Sequence, residues 1–182
     1  MNEPILLKVK LEAENLKKGI IDGVAYSGSA IPTYMWYKNF IVDVSTLSSA
    51  KAKTPLFRDH DPSRVAGSGT VTIGDNQVLF KGQISKKTSH GQEIIDLADD
   101  DFDWEMSLGV YDGTIEEVED TEVNGQMISH GFVLRNGLLR EVSIVALGAD
   151  KNTSATIMSL KGDQMKITEL QYVALACACG LS

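Results

Sequence analysis

The chain has 182 residues, 43% of them hydrophobic and 23% charged, which suits one globular domain with a packed core plus a short appendage. Its formal net charge of −8 repels phosphate backbones and anionic lipid, which argues against nucleic acid and membrane as partners. Met1-Asn2-Glu3-Pro4 lacks the basic start of a secretory signal, no apolar run is long enough to span a bilayer, and the only cysteines are Cys177 and Cys179. Two places apart, those cysteines form no disulfide framework, so a reducing cytosol is the expected setting.

In chain order, residues 5–11 (ILLKVKL) alternate apolar and basic, the pattern of a half-buried strand. Residues 19–26 predict a second strand, broken by Gly28-Ser29-Ala30 and Pro32. Thr33 to Phe40 is aromatic and ambiguous, and residues 44–55 predict a helix-poor loop or short exposed turn. Val71 to Ile84 predicts a hairpin about Gly74-Asp75-Asn76. Ser89 with Gln92 resembles a capping box, and Ile94, Leu97, Ala98 and Asp101 follow at helical spacing, which predicts a helix over 90–100. The acidic run DLADDDFD opposes a helix C-terminus, so this helix is expected to stop near Asp99.

Three more strands are predicted. Residues 105–111 set Met106, Leu108 and Val110 on one face, with Glu105, Ser107, Gly109 and Tyr111 on the other. Residues 114–123 and 126–135 flank Asn124-Gly125, a strong two-residue hairpin signal. Residues 138–147 are apolar apart from Arg140, Glu141 and Ser143. Many strands with one clear internal helix predict an α+β fold: a small, mostly antiparallel β-barrel flanked by a few helices. The expected domain covers residues 1–160. Residues 161–182 are expected to form a linker and a C-terminal helix, capped by Thr168 and apolar on nearly every side, that docks or serves an interface. No terminating pattern precedes Ser182, so the natural chain is expected to continue.

Four segments hold residues suited to chemistry. Leu56 to Pro62 carries His60 among polar neighbours at a turn, where imidazole suits a base working near neutral pH. The same residue also reads as a loop histidine held by Asp59 or Asp61; His90 and His130 read as structural. Trp104 to Val110 carries Ser107 mid-strand, with Gly109 beside it on its own face, where a glycine leaves room for a substrate backbone. Leu139 to Val145 carries Glu141, which interrupts an apolar run on the face of Leu139, Ser143 and Val145 and therefore needs a partner. Orienting an imidazole would satisfy it, and so would an ion pair with Arg140 or Arg135. The fourth segment is the bend Gly148-Ala149-Asp150.

In this order the segments resemble the capsid-maturation serine proteases of tailed phages, akin in fold to the herpesvirus assemblins. The family's P-L-x-x-x-H is matched by Pro55-Leu56 through His60, its S-x-G by Ser107-Leu108-Gly109, and its L-x-E-V-S-x-V by Leu139 through Val145. The bend usually written P-A-N is matched by Gly148-Ala149-Asp150, with Gly148 in place of proline, and Val110 stands where an aromatic commonly follows. The likeness runs from about Gly19 to Ile157. It implies Ser107 as nucleophile, His60 as general base and Glu141 as third member, with Gly148 and Ala149 as oxyanion-hole candidates and no cofactor or metal.

The resemblance further implies an endopeptidase that cleaves the scaffolding protein, the leader of the major capsid protein and itself. It would act inside the immature shell in the host cytoplasm, with residues 163–182 opening a scaffolding region that drives homo-oligomerisation. Two competing readings remain. One is a metal hydrolase using Asp59, His60 and Asp61 with His90 or His130, although no HxH or HExxH spacing is present. The other is a non-catalytic β-rich scaffolding or structural component of a phage head.

Overall fold

The structure, a computed structural model, describes residues 19–32 and 39–158. The strand expected over 5–11, most of the ambiguous aromatic stretch, and the linker and helix expected beyond 161 lie outside those residues.

The described chain is built on twelve strands: β1 (Ile20–Tyr26), β2 (Ile31–Pro32), β3 (Asn39–Val42), β4 (Ser48–Ser49), β5 (Thr54–Arg58), β6 (Asp61–Gly74), β7 (Gln77–Ile84), β8 (Glu105–Tyr111), β9 (Thr114–Val123), β10 (Gln126–Arg135), β11 (Leu138–Val145) and β12 (Ser154–Met158). A 3-10 turn spans Val44–Thr46. Among the described residues there is a single α-helix, α1 (Ser89–Asp99). Its N-cap is Thr88, whose hydroxyl accepts from Gly91 N–H at 3.1 Å, so the cap falls one residue before the expected Ser89. Ile94 and Ile95 bury its inner face.

The larger sheet has eight strands in the order β12-β1-β7-β6-β5-β11-β4, with β8 pairing the other edge of β11. The second sheet runs β2-β3-β10-β9. This corrects the expected architecture: the described residues are β-rich with open sheets, forming neither an α+β fold with several helices nor a closed barrel. A barrel needs a continuous ladder where its edges meet. Here β8 and β12 approach only at an isolated bridge, where Ala155 N–H donates to Trp104 C=O at 3.1 Å. The β9–β10 hairpin, moreover, belongs to the second sheet, through parallel pairing of β10 with β3.

The turns follow from local chemistry. Asp75-Asn76 joins β6 to β7, and Asn124-Gly125 joins β9 to β10. All four residues have positive φ, as a two-residue turn matching the twist of its strands requires. The main core packs Ile21, Leu56, Phe80, Ile84, Ile94, Met106, Val142 and Ile144 beneath the larger sheet. A smaller cluster of Ile41, Val123, Ile128 and Val133 supports the second.

The strand β11 runs parallel to β5 through Val142–Ile144 and antiparallel to β8 through Leu138–Val145. It therefore lies between the two segments that carry His60 and Ser107.

Candidate active site

His60 occupies a two-residue hairpin turn. Arg58 pairs with Asp61, and the intervening Asp59 and His60 have φ of 55° and 57°. Such a conformation is uncommon outside glycine, asparagine and aspartate, and it persists only where surrounding contacts hold it. Those contacts are present. Asp59 N–H donates to Ile144 C=O at 3.1 Å, and His60 N–H donates to the Ser143 hydroxyl at 3.1 Å. Beside the turn, the Arg58 guanidinium pairs with Glu93 at 2.7 Å and Asp59 at 3.3 Å and lies 4.9 Å from the ring centre of Trp104. Arg58 thereby ties the His60 turn to α1 and to the residue just before β8.

Ser107 and Ser143 are direct partners across the β8–β11 ladder, as are Gly109 and Glu141. Between Leu139 and Glu141 the register shifts, so Arg140 is the extra residue of a β-bulge. The bulge changes the facing expected from simple alternation. Leu139 pairs with Val110 and packs in the core with Val142 and Ile144, whereas Glu141 and Ser143 share the face of Ser107. Glu141 and Leu139 are therefore on opposite sides of the sheet.

Gly109 also has a different task from the one expected. A Cβ built on it would lie 2.0 Å from Glu141 Oε1, so the missing side chain makes room for this carboxylate rather than for a substrate backbone.

The three side chains form a continuous run. Ser107 Oγ lies 2.9 Å from His60 Nε2, and His60 Nδ1 lies 2.7 Å from Glu141 Oε1. A carboxylate only accepts, so the second contact keeps the proton on Nδ1 and leaves the Nε2 lone pair for the serine hydroxyl. Glu141 is 3% exposed, and its other oxygen accepts from the fully buried Ser143 hydroxyl at 2.7 Å. Both carboxylate oxygens are thus satisfied out of water. The hydrogen bond that His60 donates to Glu141 raises the His60 pKa above the usual 6.5; burial opposes this, and the charges of Glu141 and Asp59 reinforce it.

The alternative partners of these residues are engaged elsewhere. Arg135 binds Asp43 and, at 3.2 Å, Glu116; Arg140 lies over the Tyr111 ring, 5.0 Å from its centre. Neither pairs with Glu141. Asp59 and Asp61 turn to Arg64 at 3.4 and 3.2 Å rather than converging with His60 on one point, and His130 lies between Glu117 and Glu119. Among the described residues, no group of three or more His, Cys, Asp or Glu side chains is arranged to hold a metal ion.

The bend after β11 treats the two oxyanion candidates differently. Gly148 N–H donates to Glu105 Oε2 at 2.6 Å and is occupied. Ala149 lines the same cleft as Ser107, and its N–H has no hydrogen-bond partner among the described residues. Ser143, Arg58 and the Arg140 bulge were not anticipated as parts of the site. The motif strand L-x-E-V-S-x-V contained Ser143, and its spacing two places from Glu141 was the available signal.

No family model matches the chain, and comparison with curated proteins likewise finds no match.

Proposed function

We propose that the chain is a serine endopeptidase in which Ser107 attacks, His60 transfers the proton and Glu141 orients and stabilises the imidazole. The observation that carries this reading is the unbroken hydrogen-bond run from Ser107 through His60 to a buried carboxylate whose far oxygen is already satisfied. A solvent-facing serine and a loop histidine have no need of such an arrangement.

In the first half-reaction, Oγ bonds to the scissile carbonyl carbon as its proton passes to Nε2. Collapse of the tetrahedral species breaks the C–N bond, and the Nε2 proton leaves with the amine. Water then repeats the sequence on the acyl-enzyme, giving its proton to Nε2 and releasing the acid and the Ser107 hydroxyl. Ala149 N–H is the donor available to the developing oxyanion, a class of interaction that contributes about 2.7–4 kcal/mol per donor. Gly148 would contribute only after releasing Glu105.

The biological setting rests on the motif resemblance: cleavage of scaffolding protein, of the capsid protein leader and of the chain itself during maturation of a phage procapsid. A fluorophosphonate probe followed by peptide mapping tests the chemistry. The expected result is an adduct on Ser107 that disappears in His60→Ala. N-terminal sequencing of shell proteins from particles assembled with wild-type or Ser107→Ala chain tests the setting. New N-termini are expected only with wild type, and identical termini in both contradict the maturation role.

A further inference from the structure

Resting on that protease reading, we infer that the site selects substrates by an apolar side chain, of about leucine to phenylalanine size, on the residue that supplies the scissile carbonyl. The cleft that contains Ser107 has a volume of about 330 Å³. It runs past the edge of β8 not paired to β11 and is walled by Tyr26, Ile31, Phe40, Leu108, Val110 and Leu134, drawn from both sheets. Ile31, Phe40, Leu108 and Val110 are only partly buried, so apolar surface stands uncovered next to the nucleophile.

The polar side chains that the described residues give this wall are already hydrogen-bonded. Tyr26 hydroxyl donates to Ser29 C=O at 2.9 Å and accepts from Val42 N–H at 3.0 Å. Asp150 is buried, and its two oxygens accept from Ser27 N–H at 2.7 Å and Asn152 N–H at 3.0 Å. Ser107 faces His60. A charged or amide side chain entering the cleft would lose its water and meet, among the described residues, only polar groups that are already hydrogen-bonded, which is unfavourable. An aliphatic or aromatic side chain would exchange water for the apolar wall, which is favourable. The occupant follows from connectivity: the carbon bonded to Oγ carries its own Cα, whose side chain then starts beside Ser107 and Ala149, at the mouth of the cleft.

The test uses the full chain and a set of peptidyl diphenyl phosphonates identical except for the side chain next to phosphorus, which is that of glycine, leucine, phenylalanine, aspartate or lysine. Attack by Oγ displaces phenoxide, and intact mass reports the labelling rate. Leucine and phenylalanine probes are expected to label Ser107 roughly tenfold or more faster than the aspartate and lysine probes. In Val110→Phe, which narrows the cleft, the leucine-to-glycine rate ratio is expected to fall by a similar factor. Labelling at equal rates by all probes, or fastest by a charged one, overturns the specificity and leaves the protease reading intact. Absence of labelling by every probe, the glycine one and a simple fluorophosphonate included, overturns both.

Discussion

Besides His60, Glu141 touches the open side of Gly109 and the hydroxyl of Ser143 two places along its own strand. Each gives a prediction. Gly109→Ala drives a methyl group against the carboxylate and moves it off His60. Displacements of this order cost about a hundredfold in rate, so Ser107 labelling is expected to fall at least that far. Ser143→Ala strands a buried carboxylate oxygen and the His60 N–H together. It is expected to cost about 1–3 kcal/mol of stability, measured by denaturant unfolding, as well as activity. That His60, Ser107 and Glu141 come together was legible because residue type and ordered motif limit a candidate site to few positions. Their mutual support was not, because it depends on a bulge at Arg140 and on cross-strand contacts that alternation along one strand does not encode.

Elements were more legible where the signal was local. The Asn124-Gly125 turn and the strands on either side follow the expected boundaries, since positive φ at both positions needs those residues. What local reading missed is that Asn124 also ties the hairpin to β3, to the 3-10 turn and to the loop after β1. Its Oδ1 accepts from Val44 N–H at 3.0 Å, and its Nδ2 donates to Gly28 and Val42 C=O at 3.0 and 2.8 Å. Asn124→Gly keeps the backbone conformation and removes all three bonds, so about 2–4 kcal/mol of destabilisation is expected from chemical denaturation. An effect under about half a kcal/mol would mean the turn geometry alone is what matters. At α1, Thr88→Ala is expected to cost about 1 kcal/mol and Ser89→Ala much less, because Thr88 holds the cap. Short strands such as β3, β4 and β12 escaped reading because pairing with distant partners, rather than their own composition, makes them strands.

At the scale of the whole molecule, closure was the main error. Counting strands suggested a barrel, whereas the pairing distributes them over two open sheets that meet around the Ser107 cleft. The outer edge of the second sheet is β9, whose Glu116, Glu117, Glu119, Asp120 and Glu122 make a dense negative row. Charges on an edge strand oppose sheet-to-sheet association. With a net charge of −8, they also favour the approach of cationic segments. Peptides with basic residues remote from the scissile bond are therefore expected to be cleaved with higher kcat/KM at low salt than neutral analogues, with the advantage fading as screening increases.

The central claim is that Ser107, His60 and Glu141 work as one proton-transfer unit, and the pH dependence of Ser107 labelling by a fluorophosphonate tests it most directly. His60 acts only when Nε2 is unprotonated, and its contact with Glu141 raises its pKa, so the labelling rate should climb with pH through a midpoint above the usual 6.5. In Glu141→Gln that midpoint should move down toward 6.5, and the plateau rate should drop by up to about 10⁴-fold. A rate that is flat with pH, or a midpoint and plateau unchanged by Glu141→Gln, would contradict the account.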